Sequence, residues 1–512
     1  MPDAEITLVK REALFVKKSS IGEKLTQRLI TKNTFYFFEE RACKECEWHD
    51  DRLSSETKLA EACPNCAAFK GGIALAKELK IGGNTYLSVP AGTEASLKSV
   101  LKKKGDLTIK SKRPSSEFKR KIKFSGTLKD FQKEAVAAII EKMYGVIKAP
   151  PRSGKTVLST AAICKIGQKA IVLAAQREWL DGFYETFCGS GTQAALTTAK
   201  KNQVGFAKKY KDFLKYDVCL VTYQTFRSEK GKKLLEKIRD MFPVMVLDEV
   251  HMGAATGFAT VVSRLNCKWK IGLSGTPSRK DLRYVVVEAL IGPIIYEAKV
   301  ERLKPTIKLV RTGYKAQHKG GLWTSMVSRL EKNPARLKLI AKWALKDVKD
   351  GHMVLIPLAQ VTPIKALCLA INRMAGKRVA HPFFGGLKKD LRKKLIQDAR
   401  NYKARILVGN TKLLSTGINI PRASAIYDTT LSSNIENCEQ RVSRVLTPWE
   451  DKPPPILRIF LDDMNVRQRC LSNEWFNCIK PKFKPIITER DQIALKSYLT
   501  QKKSATLPSW EL

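Results

Sequence analysis

An apolar run, Tyr144 to Ile147, leads into Ala149-Pro150-Pro151-Arg152-Ser153-Gly154-Lys155-Thr156, and a second apolar, helix-compatible run, Val157 to Ile163, follows at once. A tight turn between a strand and a helix leaves backbone N–H groups unpaired and aimed at one spot, and the helix dipole adds positive potential there. The chemistry suited to that spot is a phosphate chain. Lys155 can reach the outer phosphates and the Thr156 hydroxyl can ligate Mg²⁺, with Pro151, Arg152, Ser153 and Gly154 forming the loop. The usual pattern begins with Gly, and this one begins with Ala149.

The same alternation of short apolar runs and helix-like segments continues downstream, through Lys169 to Ala175, Val218 to Thr222, Val244 to Leu247 and Lys270 to Leu273. It argues for an α/β fold, a parallel sheet covered by helices with functional loops at the carboxyl ends of its strands. The third run ends in Asp248-Glu249-Val250-His251. An acid directly after a buried strand suits a Mg²⁺-associated carboxylate, and the adjacent Glu249 can orient or deprotonate an attacking water.

Charge narrows the class of partner. The 512 residues hold 93 Lys and Arg against 49 Asp and Glu, a net charge of +44. Such an excess repels itself unless a polyanion neutralises part of it, and a nucleic acid backbone is the expected partner. No apolar segment approaches the roughly 20 residues needed to cross a bilayer, and the N-terminus carries no charged-then-apolar signal, so no membrane association is expected. The 12 cysteines, scattered apart from one cluster, fit a reducing compartment, and a cytoplasmic location is expected.

The cluster is Cys43-Lys44-Glu45-Cys46 and Cys63-Pro64-Asn65-Cys66, two C-x2-C knuckles separated by 16 residues. That is the spacing of a closed, structural four-thiolate Zn²⁺ site with Cys43, Cys46, Cys63 and Cys66 as ligands; the alternative is a set of unligated thiols. Farther on, Lys98 to Lys123 carries eleven basic residues against Asp106 and Glu117 alone. It reads as a basic linker at a domain boundary, with regular structure resuming near Leu128.

In order and separation, the phosphate loop, Asp248-Glu249-Val250-His251 and Ser274-Gly275-Thr276-Pro277 resemble motifs I, II and III of superfamily 2 helicases. Leu128-Lys129-Asp130-Phe131-Gln132 resembles the adenine-reading element, which implies that Phe131 and Gln132 meet the base. Ala175-Gln176-Arg177-Glu178 and Val221-Thr222-Tyr223-Gln224-Thr225 resemble motifs Ia and Ib, and imply nucleic acid contacts by Arg177, Thr222, Gln224 and Thr225. Val354-Leu355-Ile356 resembles motif IV. Ile406 to Thr411, running to Thr416-Gly417-Ile418-Asn419-Ile420-Pro421, resembles motif V, with Thr411 on the nucleic acid and Gly417 and Asn419 on the nucleotide. Gln440-Arg441-Val442-Ser443-Arg444 resembles motif VI.

The resemblance spans roughly residues 125 to 465 and implies two RecA-like parallel-sheet domains in tandem, binding ATP and Mg²⁺ between them. Lys155, Thr156, Asp248 and Glu249 would act from the first domain, Gln440 and Arg444 from the second, with Arg444 as an arginine finger. The expected organisation is a zinc-bearing accessory domain over 1–112, RecA-like domains over 113–301 and 302–470, and a C-terminal extension over 471–512. Two departures stand out: motif VI has Thr447 where a second arginine is common, and motif V has Asn419 in place of the usual Asp.

Within the superfamily the chain looks most like phage branch-migration and recombination helicases and their repair relatives. That implies an ATP-hydrolysing motor on forked, junction or other double-stranded DNA, working with replication or recombination proteins, in the host cytoplasm where phage-encoded. The same motor on RNA, and a nucleic-acid-binding protein whose ATPase serves as a nucleotide switch, are the alternatives.

Overall fold

The computed structural model describes residues 5–38, 69–150, 153–190, 193–250, 256–275, 284–300, 303–314, 323–416, 420–430, 438, 441–462 and 483–500. The chain divides into two compact units, Met1–Val300 and Glu301–Leu512.

The first unit opens with strands β1 (Ile6–Lys10), β2 (Leu14–Lys17), β3 (Thr34–Phe38), β4 (Phe69–Ala74), β5 (Lys77–Ile81), β6 (Asn84–Val89) and β7 (Leu107–Ser111). Five of them form a sheet in the order β5-β6-β2-β1-β7, antiparallel except for the parallel β1–β7 pair. Ile6, Leu8, Leu14, Val16, Leu87 and Val89 share a core with Leu25 and Leu29 of helix Glu23–Lys32 and with Leu97 and Leu101 of helix Glu94–Lys102. β3 and β4 pair separately as an antiparallel ribbon, from Thr34↔Ala74 to Phe38↔Phe69. Cys43, Cys46, Cys63 and Cys66 fall between these two strands in the sequence and lie outside the described residues.

The basic stretch is built into the fold rather than left as a linker. Lys98 to Lys102 end a helix and Leu107–Ser111 is a strand. Phe118 and Ile122 are buried in the core of the following sheet, and Lys119 N donates to Asp217 Oδ1 at 3.2 Å. Apolar residues interleaved among the lysines fasten the chain, while the ammonium groups stay at the surface.

The second sheet of this unit comprises β8 (Tyr144–Lys148), β9 (Ala170–Ala174), β10 (Val204–Phe206), β11 (Val218–Thr222), β12 (Val244–Leu247), β13 (Trp269–Ser274) and β14 (Ile294–Glu297). All are parallel, in the order β10-β11-β9-β12-β13-β8-β14. The apolar runs read as strands in this part of the sequence each correspond to one of these strands, and the run Val157 to Ile163 lies in helix Lys155–Ile166. Burial on both faces explains why the runs are continuous rather than alternating, and two cores, one holding Ile147, Val172 and Leu273, the other Val146, Leu173 and Leu247, flank the sheet.

The five-stranded sheet is fastened to the amino-terminal edge of this parallel sheet. Lys270, in the second position of β13, is buried and donates from Nζ to Glu12 O at 2.9 Å and to Val262 O at 3.3 Å. The Glu12 carboxylate pairs with Arg239. Asn266 Nδ2 donates to Lys112 O at 3.0 Å, and the Arg113 guanidinium covers the Tyr144 ring 4.5 Å from its centroid. At Gly92 the backbone comes so close to the end of helix Tyr284–Ile291 that a Cβ would collide with the backbone of Glu288, Ala289 and Gly292.

The second unit holds another all-parallel sheet: β15 (Thr306–Arg311), β16 (Val354–Leu358), β17 (Ala380–Phe383), β18 (Ile406–Asn410), β19 (Ala425–Asp428), β20 (Ile456–Leu461) and β21 (Ile486–Ile487), in the order β17-β18-β16-β19-β20-β15-β21. The edge strand β21, with buried Phe483 and Leu495, continues this unit past residue 470, where the sequence reading had ended it. Helices Trp323–Lys332 and Pro334–Lys349 meet at Asn333, whose side chain accepts from Arg336 N at 2.9 Å and caps the second. Arg336 is buried against Asp462, Nε to Oδ1 at 3.0 Å, and Arg458 against Asp347, Nε to Oδ2 at 2.9 Å. The architecture is thus α/β, with two parallel-sheet bodies in tandem, preceded in the chain by a smaller mixed sheet.

Candidate functional site

Sheet order sets which loops meet. Along the carboxyl edge of the first parallel sheet the strands run β11, β9, β12, β13, β8. The loops after them carry, in the same order, Thr222 to Thr225, Ala175 to Arg177, Asp248-Glu249, Ser274-Gly275 and the phosphate loop. Neighbouring loops are tied by backbone: Asp248 N donates to Leu173 O and Ala149 N to Ser274 O, each at 2.9 Å. Ala149 is fully buried in this tie, so a methyl group is accommodated where glycine is usual.

The phosphate loop ends at Gly154, which has φ +86°; a Cβ there would lie 2.5 Å from Gln132 Nε2. Glycine alone relieves both constraints. Helix Lys155–Ile166 starts at once, with Leu158 N bonded to Gly154 O at 3.0 Å, so its first-turn amides face the loop. Lys155 is 8% exposed, and its Nζ lies 2.7 Å from Glu249 Oε1. Glu249 adopts φ +49°, a left-handed conformation that costs a non-glycine residue energy, and its N–H donates to Asp248 Oδ1 at 3.1 Å. The buried Ser153 hydroxyl has no hydrogen-bond partner. Pro151, Arg152 and His251 lie outside the described residues.

These groups fit a magnesium-bound triphosphate. A helix N-terminus, a buried ammonium and an unpaired hydroxyl suit phosphate oxygens, while Asp248 and the Thr156 hydroxyl are hard oxygen donors suited to Mg²⁺. Among the described residues no cluster of three or more His, Cys, Asp or Glu is arranged to hold a metal by itself, as expected where Mg²⁺ takes most of its ligands from phosphate and water.

Gln132 does more than the sequence indicated. Its Oε1 accepts from Lys129 N at 2.9 Å, capping helix Asp130–Lys142, and its Nε2 donates to Ser153 O at 3.1 Å. The amide thus links the start of that helix to the phosphate loop. Phe131 beside it is partly buried against the core.

On the neighbouring loops, Thr222 is in register with Ala174, and Gln224 Nε2 donates to Ala175 O at 2.8 Å. Thr222 Oγ1 lies 3.5 Å from Thr225 Oγ1. Arg177 is exposed, with its guanidinium 3.1 Å from the centroid of Phe206 and Nε 3.5 Å from Asp181 Oδ1. All four expected nucleic acid contacts of this unit therefore gather at the ends of two adjacent strands.

In the second unit Thr411 follows β18, and Asn410 Nδ2 ties that loop to Ala359 O at 3.2 Å. Gly417, Asn419 and Gln440 lie outside the described residues. Arg441 is buried, with Nη1 2.7 Å from Asp428 Oδ1, and this ion pair anchors the segment. Arg444 is partly exposed, its N–H on Arg441 O at 3.0 Å. Thr447 receives, at its carbonyl, Lys452 Nζ at 2.7 Å, and the same ammonium reaches Pro421 O at 3.2 Å. Lys452 so joins the ends of the two motif segments, a role its surface-like sequence context did not signal.

Residues 125–279 match the family described as type III restriction enzyme, res subunit, and residues 335–447 the helicase conserved C-terminal domain. Probable helicase D10 of Escherichia phage T5 is 26% identical over 325 residues, 61% of this chain and 66% of that protein. The general transcription and DNA repair factor IIH helicase/translocase subunit XPB of Antonospora locustae is 23% identical over 326 residues, 59% and 44% of the two chains. DNA 3'-5' translocase XPB2 of Sulfurisphaera tokodaii is 27% identical over 195 residues, 36% and 38%. The chain spans less than two thirds of each of these relatives. With five motif loops set side by side on one sheet edge and helicase-domain matches in both parallel-sheet units, the chain belongs to helicase superfamily 2.

Proposed function

We propose that the chain is an ATP-hydrolysing DNA helicase or translocase that unwinds or branch-migrates forked and junction DNA. The observation that carries this reading is the shared edge: the Lys155–Glu249 pair and Asp248 lie on the same row of loops as Arg177, Thr222, Gln224 and Thr225. Phosphate chemistry and nucleic acid contact at adjacent strand ends allow one to bias the other. The relatives' names, a probable phage helicase and DNA translocases, support DNA as the track.

In this reading Lys155 and the first-turn amides hold the phosphates, Thr156 and Asp248 hold Mg²⁺, and Glu249 leaves Lys155 to orient or deprotonate the attacking water. Gln440 and Arg444 act from the second unit, Arg444 neutralising charge on the transferred phosphoryl group. The proposed organisation is an accessory domain before residue 113 and two motor domains, the second continuing past residue 470. Cys43, Cys46, Cys63 and Cys66 bind Zn²⁺ in the accessory domain, tested by zinc content before and after Cys63→Ser. The protein works in the cytoplasm, where no membrane partner is needed; among the described residues no helix is long and apolar enough to span a bilayer.

A strand-displacement and ATPase panel tests the function, with DNA forks, four-way junctions, flush duplexes and matched RNA at fixed salt. Fork- or junction-stimulated turnover with displacement supports it. Stimulation by RNA alone moves the motor to RNA, and nucleotide binding without turnover makes it a switch.

A further inference from the structure

Tyr223 lies on the edge just described, in the nucleic acid half. It opens the turn Tyr223–Phe226 after β11, next to Gln224, which holds the loop after β9 through Ala175 O. Its ring packs into the core that contains Leu247 and Val250, the residues flanking Asp248-Glu249. It meets Phe258 edge-on, with centroids 5.3 Å apart and planes at 72°. Register brings the two loops to one level: Thr222 is aligned with Ala174 on one side of β9, and Asp248 N bonds Leu173 O on the other.

The Tyr223 hydroxyl is buried and has no hydrogen-bond partner. Burial, reinforced by the nearby Asp248 charge, pushes the phenol well above its usual range, so it remains a hydrogen-bond donor at any working pH. An unmet buried donor destabilises the fold, and phenylalanine would fill the same space without that cost. A buried hydroxyl without a partner suits one in another state of the protein, and the Asp248 carboxylate, set between Leu247 and Val250 of the same core, is the candidate acceptor.

We propose that Tyr223 is a positioning residue: engagement of the Thr222 to Thr225 turn by nucleic acid carries the Tyr223 hydroxyl onto the Asp248 carboxylate and fixes it for Mg²⁺. The inference rests on the helicase reading above and adds the route by which the track regulates turnover. The Gln224–Ala175 bond couples the turn after β11 to the loop after β9, and β9 adjoins β12, which Asp248 follows.

The test is Tyr223→Phe, which keeps the ring and removes one oxygen. ATP turnover is measured with and without a saturating DNA fork, with an RNA duplex as a second arm, beside the thermal midpoint. Loss of a charge-assisted hydrogen bond predicts that the ratio of fork-stimulated to unstimulated turnover falls about tenfold, with KM for ATP and the thermal midpoint not worsened. A ratio equal to that of the unsubstituted protein, with a raised midpoint, marks the hydroxyl as a structural defect and overturns the inference alone. An unsubstituted protein that neither fork nor RNA stimulates overturns the helicase reading and this inference with it.

Discussion

The Lys155 ammonium and the Glu249 carboxylate form an ion pair, Nζ to Oε1 at 2.7 Å, across the gap between the first parallel sheet's phosphate loop and the end of β12. In the proposed function Lys155 binds phosphate and Glu249 addresses the attacking water, so nucleotide binding is expected to break the pair. Glu249→Gln is expected to lower ATP turnover by about 10²–10⁴-fold, the usual contribution of a general base, and Lys155→Ala to abolish it. Both should still bind DNA. Steady-state ATPase with a filter-binding control checks this, and equal hydrolysis by Glu249→Gln and the unsubstituted protein would remove Glu249 from its role.

Gly154→Ala should damage the phosphate loop without touching a catalytic group. The new methyl meets Gln132 Nε2 at 2.5 Å at a backbone angle of φ +86°. Left-handed strain of this kind costs about 1–3 kcal/mol. The expected outcome is a lower thermal midpoint and a smaller upward shift on adding ATP with Mg²⁺, read by differential scanning fluorimetry.

Lys270 gives the first unit a pH signature. Burial lowers its pKa from 10.5 to about 8. Below that value the lysine is protonated whether the unit is folded or unfolded, and the burial penalty is constant. Between about 8 and 10.5 the unfolded chain binds a proton that the folded chain lacks, so stability rises with pH, by about 3 kcal/mol over the whole window. Urea midpoints at pH 7.5 and 9.5 should move in favour of the unsubstituted protein relative to Lys270→Met; parallel movement of the two would place the titration elsewhere.

Arg336 and Asp462 are both fully buried in the second unit. Asp462→Ala leaves the guanidinium without its counter-charge, and a cost of about 3–5 kcal/mol is expected in equilibrium unfolding. An isosteric Asp462→Asn, which keeps an acceptor, should lose less.

The sequence was most legible where chemistry and periodicity coincide. The runs ending at Ile147, Ala175, Thr222, Leu247 and Leu273 are continuous because both faces of their strands are covered, and each is a strand in the structure. Sheet order was not legible, since it depends on crossovers that local sequence does not encode. It alone puts the loop of Thr222 two strands from Asp248. Gln132 carried a signal for nucleotide contact but none for bracing Ser153, because that contact spans 21 residues. Lys270 was read as part of an apolar run and Arg441 as part of motif VI, and only tertiary packing assigns them carbonyl and carboxylate partners. The mixed sheet near the N-terminus was hidden by lysines alternating with its apolar residues, which resembles a solvated linker when read without partners.

The attachment of that mixed sheet, through Glu12, Gly92, Lys112 and Arg113, lies wholly at the amino-terminal ends of the parallel strands, whereas every motif loop of the unit lies at the carboxyl ends. The two ends of one sheet are therefore free to diversify separately. A change in the appended sheet need not disturb the loops at the opposite edge. The parallel sheet is in this sense a socket, and the buried Lys270 holds the appended sheet through Glu12 O.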